Sequence, residues 1–292
     1  MFGTVGCLVD SMVQNFEHAV DGTRRKVAHY YRNSSDDAKI SQKLSSCDSK
    51  EPLCINIVKL IYNDNNGSFY SFGRIMSGTV RKGEELMVLG EGYTLEEEED
   101  AVLRSATRLW INQGRYKIEV DMMTAGNWIM IEGIDQSISK TATVVHPSFK
   151  GVDIFRPLEF HTEAVVKIAC EPLNPSELPK MLEGLRKISK SYPLSRTKVE
   201  ESGEHIIFGT GELYIDSVLN DLRTEFAQVE IKVSEPFVSF SETVADTSSV
   251  KCVAETPNKK NQIAMIAEPL DKGLAELIEA GLLEQQPNIL VN

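Results

Sequence analysis

The sequence predicts a multidomain chain in which a β-barrel is followed by an α+β ferredoxin-like domain and a partial α+β domain. Between residues 51 and 150, short β-branched and aromatic segments alternate with turn signals, and no long helical period occurs. Between residues 157 and 235 the period changes, giving the order strand, helix, two strands, helix and strand. Residues 236–292 contain a few strand-like segments and one helix, which is too little for a complete core.

Residues 1–50 are predicted to contain one short amphipathic helix and a linker. Leu8, Met12 and Phe16 recur at helical spacing, so residues 5–18 are predicted to form a helix. The stretch that follows is polar, rich in Ser and Asp and nearly free of large aliphatic residues. Such a composition is typical of a solvated linker.

The barrel is predicted from strand-like segments such as LCINIVKLIY, FYSFGRIMSGTV and NWIMIEGI. The turn NDNNGS separates the first two segments, and Lys82-Gly83 provides a tight turn before ELMVLG. Further short segments, RLWI and YKIEV, complete a set of strands with closely spaced turns. This arrangement favours a small antiparallel barrel.

The ferredoxin-like domain is predicted from two amphipathic helices set between strands. Ser176 is placed to cap the first helix, and Glu183 and Lys187 are spaced to pair on its outer face. The predicted buried faces consist of Leu178, Met181, Leu182 and Leu185 in the first helix and of Ile215, Val218, Leu219, Leu222 and Phe226 in the second. The closing segment VEIKV alternates strictly, as a half-buried strand does.

Composition and charge exclude several classes of protein. The 292 residues carry a net charge of −12, so binding to nucleic acid through global electrostatics is not expected. The five cysteines are scattered and form no CxxC, which argues against a disulfide framework and a zinc site. No signal peptide and no run of about 18 apolar residues occurs, so we expect a cytosolic or nuclear protein with no membrane partner.

A possible guanine-binding motif lies in ETPNKKNQ, residues 255–262. Asn258-Lys259 opens the Asn-Lys-x-Asp signature, but Asn261 stands where an Asp must accept from the guanine ring. The phosphate-binding loop GxxxxGK[ST] does not occur, and GTGELY at 209–214 has no Lys to meet a phosphate. The sequence therefore predicts no catalytic, cofactor-binding or metal-binding residue in this chain.

The module order and several motifs resemble the elongation factor 2-like translational GTPases. The barrel segments FGRIMSGTVRKGEELMVLG and AGNWIMIEGIDQSISKTATV carry the resemblance, with VEESGEHIIFGTGELYIDSVLNDL in the next domain. AETPNKKNQIAMIAEPL is similar to the opening of the family's fourth domain, where PNK is not a guanine motif. The resemblance implies a tail of the GTPase domain in 1–50, barrel in 51–150, domain III in 157–235 and incomplete domain IV in 236–292.

Within that family, LWINQGRYKIEV and NPSELPKMLEGLRKISKSYP resemble the spliceosomal GTPase component of the U5 small nuclear ribonucleoprotein. The resemblance implies a nuclear, non-catalytic scaffold fragment without the GTPase domain, acting in pre-mRNA splicing and spliceosome activation. Expected partners are spliceosomal proteins and U5 RNA, with no DNA; GTP and Mg belong to the full-length family, not to this chain. Alternatives are a ribosomal translocase fragment, a GTPase completed by a partner chain, and a non-functional truncated product.

Two short segments are the candidate partner contacts. The turn formed by Ser202, Gly203, Glu204 and His205 resembles a family segment in the third domain. Asn258, Lys259 and Lys260 place two lysines on a loop, which can contact phosphate without a pocket.

Overall fold

The computed structural model describes residues 4–32, 38–63, 66–95, 100–158, 160–200, 203–238, 244–271, 273–274 and 277. The chain divides into two compact units, Met1–Val238 and Ser239–Asn292. In its described residues, the larger unit contains three N-terminal helices and two large antiparallel sheets. We call the eight-stranded sheet with its loops the first module. The five-stranded sheet that follows it, with its two helices, is the second module.

Three helices precede the first module: α1 (Thr4–Asn15), α2 (Ala19–Tyr30) and α3 (Ala38–Ser45). Helix α1 ends three residues before the predicted helix does, because His18 caps α2 by accepting from the backbone N–H of Asp21.

Helices α2 and α3 occupy the stretch predicted to be a solvated linker, so that prediction is wrong there. Val27, Tyr31 and Leu44 are fully buried, in a cluster that also contains Met76 and Phe155. Tyr31 also accepts a hydrogen bond through its hydroxyl from the backbone N–H of Asp153, at 2.9 Å. These few large residues are held by distant parts of the chain, and a helical stripe alone would not have buried them.

The first module is an eight-stranded antiparallel sheet with the strand order β5-β4-β10-β1-β2-β9-β6-β7. Strands β3 and β8 form a separate two-stranded ribbon. The strands are β1 (Cys54–Asn63), β2 (Ser68–Ser77), β3 (Thr79–Arg81), β4 (Glu85–Leu89), β5 (Ala101–Ser105), β6 (Arg108–Gln113), β7 (Tyr116–Val120), β8 (Met122–Thr124), β9 (Trp128–Glu132) and β10 (Ala142–Val145).

The core of the first module is built from alternate residues of these strands, as a sheet with one buried face requires. Burying each of these large aliphatic side chains contributes about 1.5–3 kcal/mol. The cluster includes Ile55, Ile57, Ile75, Leu86, Val88, Leu109, Ile129, Ile131 and Val144.

The second module has its elements in the predicted order of strand, helix, two strands, helix and strand. They are β11 (Val166–Pro172), α4 (Leu178–Ser191), β12 (Arg196–Val199), β13 (His205–Gly209), α5 (Glu212–Asp221) and β14 (Ile231–Val233). The sheet order is β12-β13-β11-β14, and β15 (Phe237–Val238) pairs with the start of β11. Both helices contribute to one core with the strands, so they cover the same face of the sheet.

The predicted helix faces agree with the observed core, although the start of α4 does not. All five predicted residues of the second helix are buried. Ser176 lies in a 3-10 turn over Pro175–Glu177, and α4 begins at Leu178 without a side-chain cap, so the predicted Ser176 cap is wrong. The predicted pair of Glu183 and Lys187 is present, with the charged atoms 3.0 Å apart.

Replacing Tyr192 with phenylalanine is expected to change how stability depends on pH. Tyr192 donates its hydroxyl proton to the Asp221 carboxylate, and burial followed by this bond raises the pKa of Tyr192. Negative charge on Asp221 and Glu225, and the Tyr214 hydroxyl, act in the same direction. The hydrogen bond from the Tyr192 hydroxyl therefore contributes its full stability below the unfolded tyrosine pKa of about 10. This contribution is lost as pH rises through the folded pKa of Tyr192.

The measurement is urea unfolding of the native chain and of Tyr192→Phe, at neutral pH and again above the unfolded tyrosine pKa of about 10. The stability advantage of the native chain should shrink as pH rises. Asp221→Asn, which removes the carboxylate charge, should weaken this dependence. A difference between Tyr192→Phe and the native chain that stays constant with pH would contradict the assignment.

The smaller unit is described chiefly by an antiparallel hairpin of β16 (Cys252–Glu255) and β17 (Gln262–Met265). Every residue of both strands is exposed. Of the predicted helix that follows, only residues 273–274 and 277 are described, and the terminal PNILVN lies outside the described residues.

Candidate functional site

The first candidate contact forms the end of the β12–β13 hairpin in the second module. Gly203 has φ +88°, which glycine adopts without strain, and donates its backbone N–H to the Glu200 carbonyl at 2.9 Å. Glu200 in turn donates its N–H to the Glu204 carbonyl at 3.0 Å. The structure therefore places Gly203 and Glu204 on an exposed tight turn; Ser202 lies outside the described residues.

His205 begins β13 and is half-buried, opposite Cys170 on one side and Val199 on the other. Its backbone carbonyl accepts from the Cys170 thiol at 3.3 Å. Burial, with a smaller contribution from the Glu171 charge, raises the pKa of Cys170 to about 12, so this thiol remains protonated at neutral pH. In its described residues, the turn therefore presents an exposed carboxylate and backbone groups, with no reactive thiolate beside them.

The second candidate contact is the loop between β16 and β17, which is ordered by its own hydrogen bonds. The side-chain oxygen of Asn258 accepts from the Thr256 hydroxyl at 2.6 Å and from the Lys260 N–H at 3.1 Å. Thr256 also donates its N–H to the Asn261 carbonyl at 3.0 Å. Because these bonds occupy the Asn258 oxygen, this geometry is that of a tight loop and not of a guanine reader.

The two lysines of this loop are exposed. Lys259 has φ +54°, and its backbone N–H donates to the Thr256 carbonyl at 2.8 Å. Two adjacent ammonium groups on a fixed loop can meet a phosphate or a carboxylate of a partner. The two candidate contacts belong to different compact units.

A pair of lysines that no sequence pattern predicts, Lys140 and Lys190, joins the two modules, and we call this pair the lysine clamp. Lys140, from the first module, donates to the carbonyls of Pro193 and Ser195 at 2.7 and 2.8 Å. Lys190, from helix α4, donates in the opposite direction to the Asp135 carbonyl at 2.9 Å. Each module thus places an ammonium group on backbone carbonyls of the other.

Partial burial at this junction lowers the pKa of both clamp lysines. For Lys140 the nearby positive charge of Arg196 adds to the lowering and Glu91 opposes it. For Lys190 the Asp135 carboxylate opposes the lowering. The carbonyl contacts therefore replace part of the hydration that each ammonium loses.

Aromatic packing adds to the contact between the modules. The ring of Tyr62, in β1, meets Phe69 of its own module edge-on at 5.3 Å between centroids. It meets Phe226 of the second module in the same way at 4.9 Å, and the Lys187 ammonium lies 5.8 Å from its centroid. Tyr62 packs against both cores, so the two modules share an apolar contact at this point.

Helix α2 is held on the first module by a second cationic and aromatic contact. The Lys26 ammonium lies 4.8 Å from the centroid of Trp128, whose ring stacks on Phe72 at 5.0 Å. The Arg74 guanidinium donates to the Ala19 carbonyl at 3.0 Å. Burial and the Arg74 charge lower the pKa of Lys26. The predicted linker therefore contributes specific contacts to the surface of the module.

Comparison with models of protein families places both modules in one class. Residues 68–145 match elongation factor Tu domain 2, and residues 162–235 match Elongation Factor G, domain III. The chain thus carries two consecutive modules of the translation elongation factor class. In the described part of the chain, no helix has the length and apolar character needed to cross a membrane.

Curated relatives identify the branch of this class. The chain is 53% identical over 284 residues to the 110 kDa U5 small nuclear ribonucleoprotein component CLO of Arabidopsis thaliana, and 52% identical to the 109 kDa component GFL of the same plant. It is 46% identical over 284 residues to the pre-mRNA-splicing factor cwf10 of Schizosaccharomyces pombe. These alignments cover 96–97% of the chain and 29% of each relative. Over nearly its whole length, the chain is thus a relative of these named U5 small nuclear ribonucleoprotein components and of this splicing factor.

Proposed function

We propose that the chain acts in pre-mRNA splicing as a component of the U5 small nuclear ribonucleoprotein, and that it serves there as a non-catalytic binding and scaffold module. The observation that carries the proposal is the identity of 46–53% over nearly the whole chain to proteins named as U5 components or splicing factors. The chain spans 29% of the length of these relatives. The role of the whole protein is therefore proposed for this chain.

The geometry supports a scaffold role through the connection between the modules. The lysine clamp and the Tyr62–Phe226 contact hold the two modules at a fixed junction. A fixed junction presents surfaces of both modules to a partner without the entropy cost of ordering them on binding. The proposed partners are spliceosomal proteins and U5 RNA in the nucleus, with Gly203–His205, its neighbour Ser202, and Asn258–Lys260 as contacts.

The finer architecture belongs to the same proposal. We infer a β-barrel over 51–150, a ferredoxin-like domain III over 157–235, residues of domain IV in 236–292, and a tail of the GTPase domain in 1–50. The antiparallel order of the first sheet supports the barrel, and the β12-β13-β11-β14 order of the second supports domain III. GTP and Mg would be bound by the full-length relatives and not by residues of this chain.

Purification of a tagged chain from cells with an active spliceosome tests the function. U5 RNA should be enriched over ribosomal RNA in the purified material. A Lys259→Gln and Lys260→Gln variant should recover less U5 RNA or fewer partner proteins, while Lys150→Gln, which changes an exposed lysine of the other unit, should not. Enrichment of ribosomal subunits instead would favour a translocase-type role, and specific retention of labelled GTP would contradict a non-catalytic module.

A further inference from the structure

The second module leaves one face of its sheet uncovered by its helices. Ile168, Cys170 and Ile207 point to the side of α4 and α5, because they belong to the core that these helices share. Neighbouring residues in a strand point to opposite sides. The intervening residues of β11, β12, β13 and β15 therefore form the open face of the sheet.

Strand register aligns four residues of this open face in one row. Lys167 of β11 lies opposite Phe237 of β15 on one side and opposite Phe208 of β13 on the other. Phe208 in turn lies opposite Arg196 of β12. We call Phe237, Lys167, Phe208 and Arg196 the aromatic–cation row, since rings and positive charges alternate across four strands.

The row is accessible and internally ordered. The Lys167 ammonium lies 5.1 Å from the centroid of the Phe208 ring, which fixes both side chains in a cation–π contact. The Phe237 side chain is 44% exposed and Arg196 is exposed as well, while Lys167 and Phe208 between them are half-buried. Phe208 and Phe237 are separated by two strand spacings, or about 10 Å, so a planar group can stack on Phe237 and a second one on the face of Phe208 that Lys167 does not cover.

Positive charge is concentrated at this row although the chain carries −12 overall. Lys198 follows Arg196 on the same side of β12, and Lys140 of the clamp lies close enough for the Arg196 charge to lower its pKa, after burial. Glu235 lies two residues before Phe237, but three other carboxylates lie towards the other end of the strands. Glu171 is opposite Lys232 there, and Glu200 and Glu204 belong to the hairpin turn.

We propose that the open face of the second module binds single-stranded RNA through the aromatic–cation row. Unpaired bases would stack on the rings of Phe237 and Phe208, while Lys167, Arg196 and Lys198 would meet the phosphates. Four-stranded sheets that carry aromatic side chains are a recurring platform for unpaired bases, and every base has a face that can stack. An acidic peptide would use the cations but leave both rings without a matching group.

Two other nucleic acids must be distinguished from single-stranded RNA. Double-stranded RNA keeps its bases stacked inside the helix, so it cannot use the rings. Single-stranded DNA offers the same bases and phosphates, and the choice of RNA over DNA rests on the splicing function proposed above. The stacking face itself rests on the geometry alone.

Fluorescence anisotropy of the full chain with a labelled single-stranded oligouridylate tests the face directly. Phe237→Ala is expected to weaken the Kd about tenfold, and Phe237→Tyr should restore most of the affinity because it keeps a ring. Lys167→Gln should weaken binding and reduce the slope of log Kd against log salt by about 0.7, the value for one lost phosphate contact to a single strand. Lys180→Gln, which changes an exposed lysine of α4, should leave the Kd unchanged.

Several results would overturn the proposal. They are an unchanged Kd for Phe237→Ala, a preference for an RNA duplex, displacement of the oligouridylate by an oligoglutamate peptide, and tighter binding of the matching DNA strand. Because Phe237 is exposed, loss of folding does not explain a loss of binding by its variants. U5 RNA can fail to co-purify while the oligouridylate still binds, so failure of this inference and failure of the proposed function are distinguishable.

Discussion

Replacing Gly184 with valine is expected to destabilise the second module by about 3 kcal/mol. Gly184 lies in the middle of α4 and is buried against the π-helical turn Leu222–Phe226 and the residue that follows it. A Cβ atom at this position would lie 2.7 Å from the Cβ of Ala227 and 2.8 Å from the Cδ1 of Leu222. The Cα of Ala227 is 3.2 Å away, so backbone as well as side chain would have to move. Overpacking of this kind costs about 1–3 kcal/mol, and the β-branched side chain adds to it.

Urea unfolding followed by far-ultraviolet circular dichroism measures the effect of Gly184→Val. The midpoint should fall while the slope with urea stays the same, since the surface exposed on unfolding is unchanged. Lys180→Val, on the exposed side of the same helix, controls for helix propensity and should cost less than about 0.7 kcal/mol. A midpoint for Gly184→Val equal to that of Lys180→Val would show that α4 and the π-helical turn are not in close contact.

The second module shows which parts of the fold local periodicity predicts. The 3.6-residue period identified both helices and their buried faces, because each helix has one apolar face and one sheet to cover. The close approach at Gly184 was not predicted, although a glycine inside a strong helical pattern is itself a sign of tight packing. The π-helical turn has no sequence signature, since it depends on how α5 meets α4.

The N-terminal helices show where local periodicity fails. Helix α2 offers Val27, and Tyr31 follows at its end, while α3 buries Leu44. Val27 and Tyr31 are only four residues apart, but two such residues in a polar sequence are too few for an apolar stripe, and Leu44 lies thirteen residues further on. Their burial depends on Met76 and Phe155, which pack in the same cluster but lie far away in the sequence. The polar composition therefore indicated a linker where tertiary contacts hold two helices.

Some of the candidate contacts could be predicted from residue type, while others depend on tertiary structure. Gly203 and Asn258 belong to turns whose residue types are readable from the sequence, because glycine and asparagine suit the backbone geometry of turns. The lysine clamp could not be predicted from the sequence, because Lys140 and Lys190 donate to backbone carbonyls, and every residue has a backbone carbonyl. The aromatic–cation row needed strand register as well, since Phe237 and Arg196 meet Lys167 and Phe208 only across the sheet.

Replacing both clamp lysines with methionine is expected to uncouple the two modules. Hydrogen bonds from a charged group contribute about 1.5–3 kcal/mol when buried. Since Lys140 and Lys190 keep part of their contact with water, about 1 kcal/mol for each is the expected loss. Methionine retains the apolar stem but leaves the carbonyls of Pro193, Ser195 and Asp135 without these donors. The double variant should therefore lose about 2 kcal/mol, all of it at the junction.

Two optical probes separate the modules in this experiment. Trp110 and Trp128 are the two tryptophans of the chain, and both belong to the first module. Circular dichroism also reports the helices α4 and α5 of the second module. In the native chain, unfolding followed by tryptophan fluorescence and by circular dichroism should coincide, as it does for one cooperative unit. In the double variant the circular dichroism transition should move to lower urea and separate from the fluorescence transition.

The matched control is the double variant Lys150→Met and Lys180→Met. It makes the same chemical change and removes the same charge, but both lysines are exposed and neither joins the modules. Its two transitions should stay coincident, and its stability should fall by no more than about 0.5 kcal/mol. Tyr62→Leu tests the remaining contact, because it removes the ring that meets Phe226 while keeping an apolar side chain. If the clamp variant also kept coincident transitions and the Tyr62 variant separated them, the aromatic contact would hold the modules together and the lysines would not.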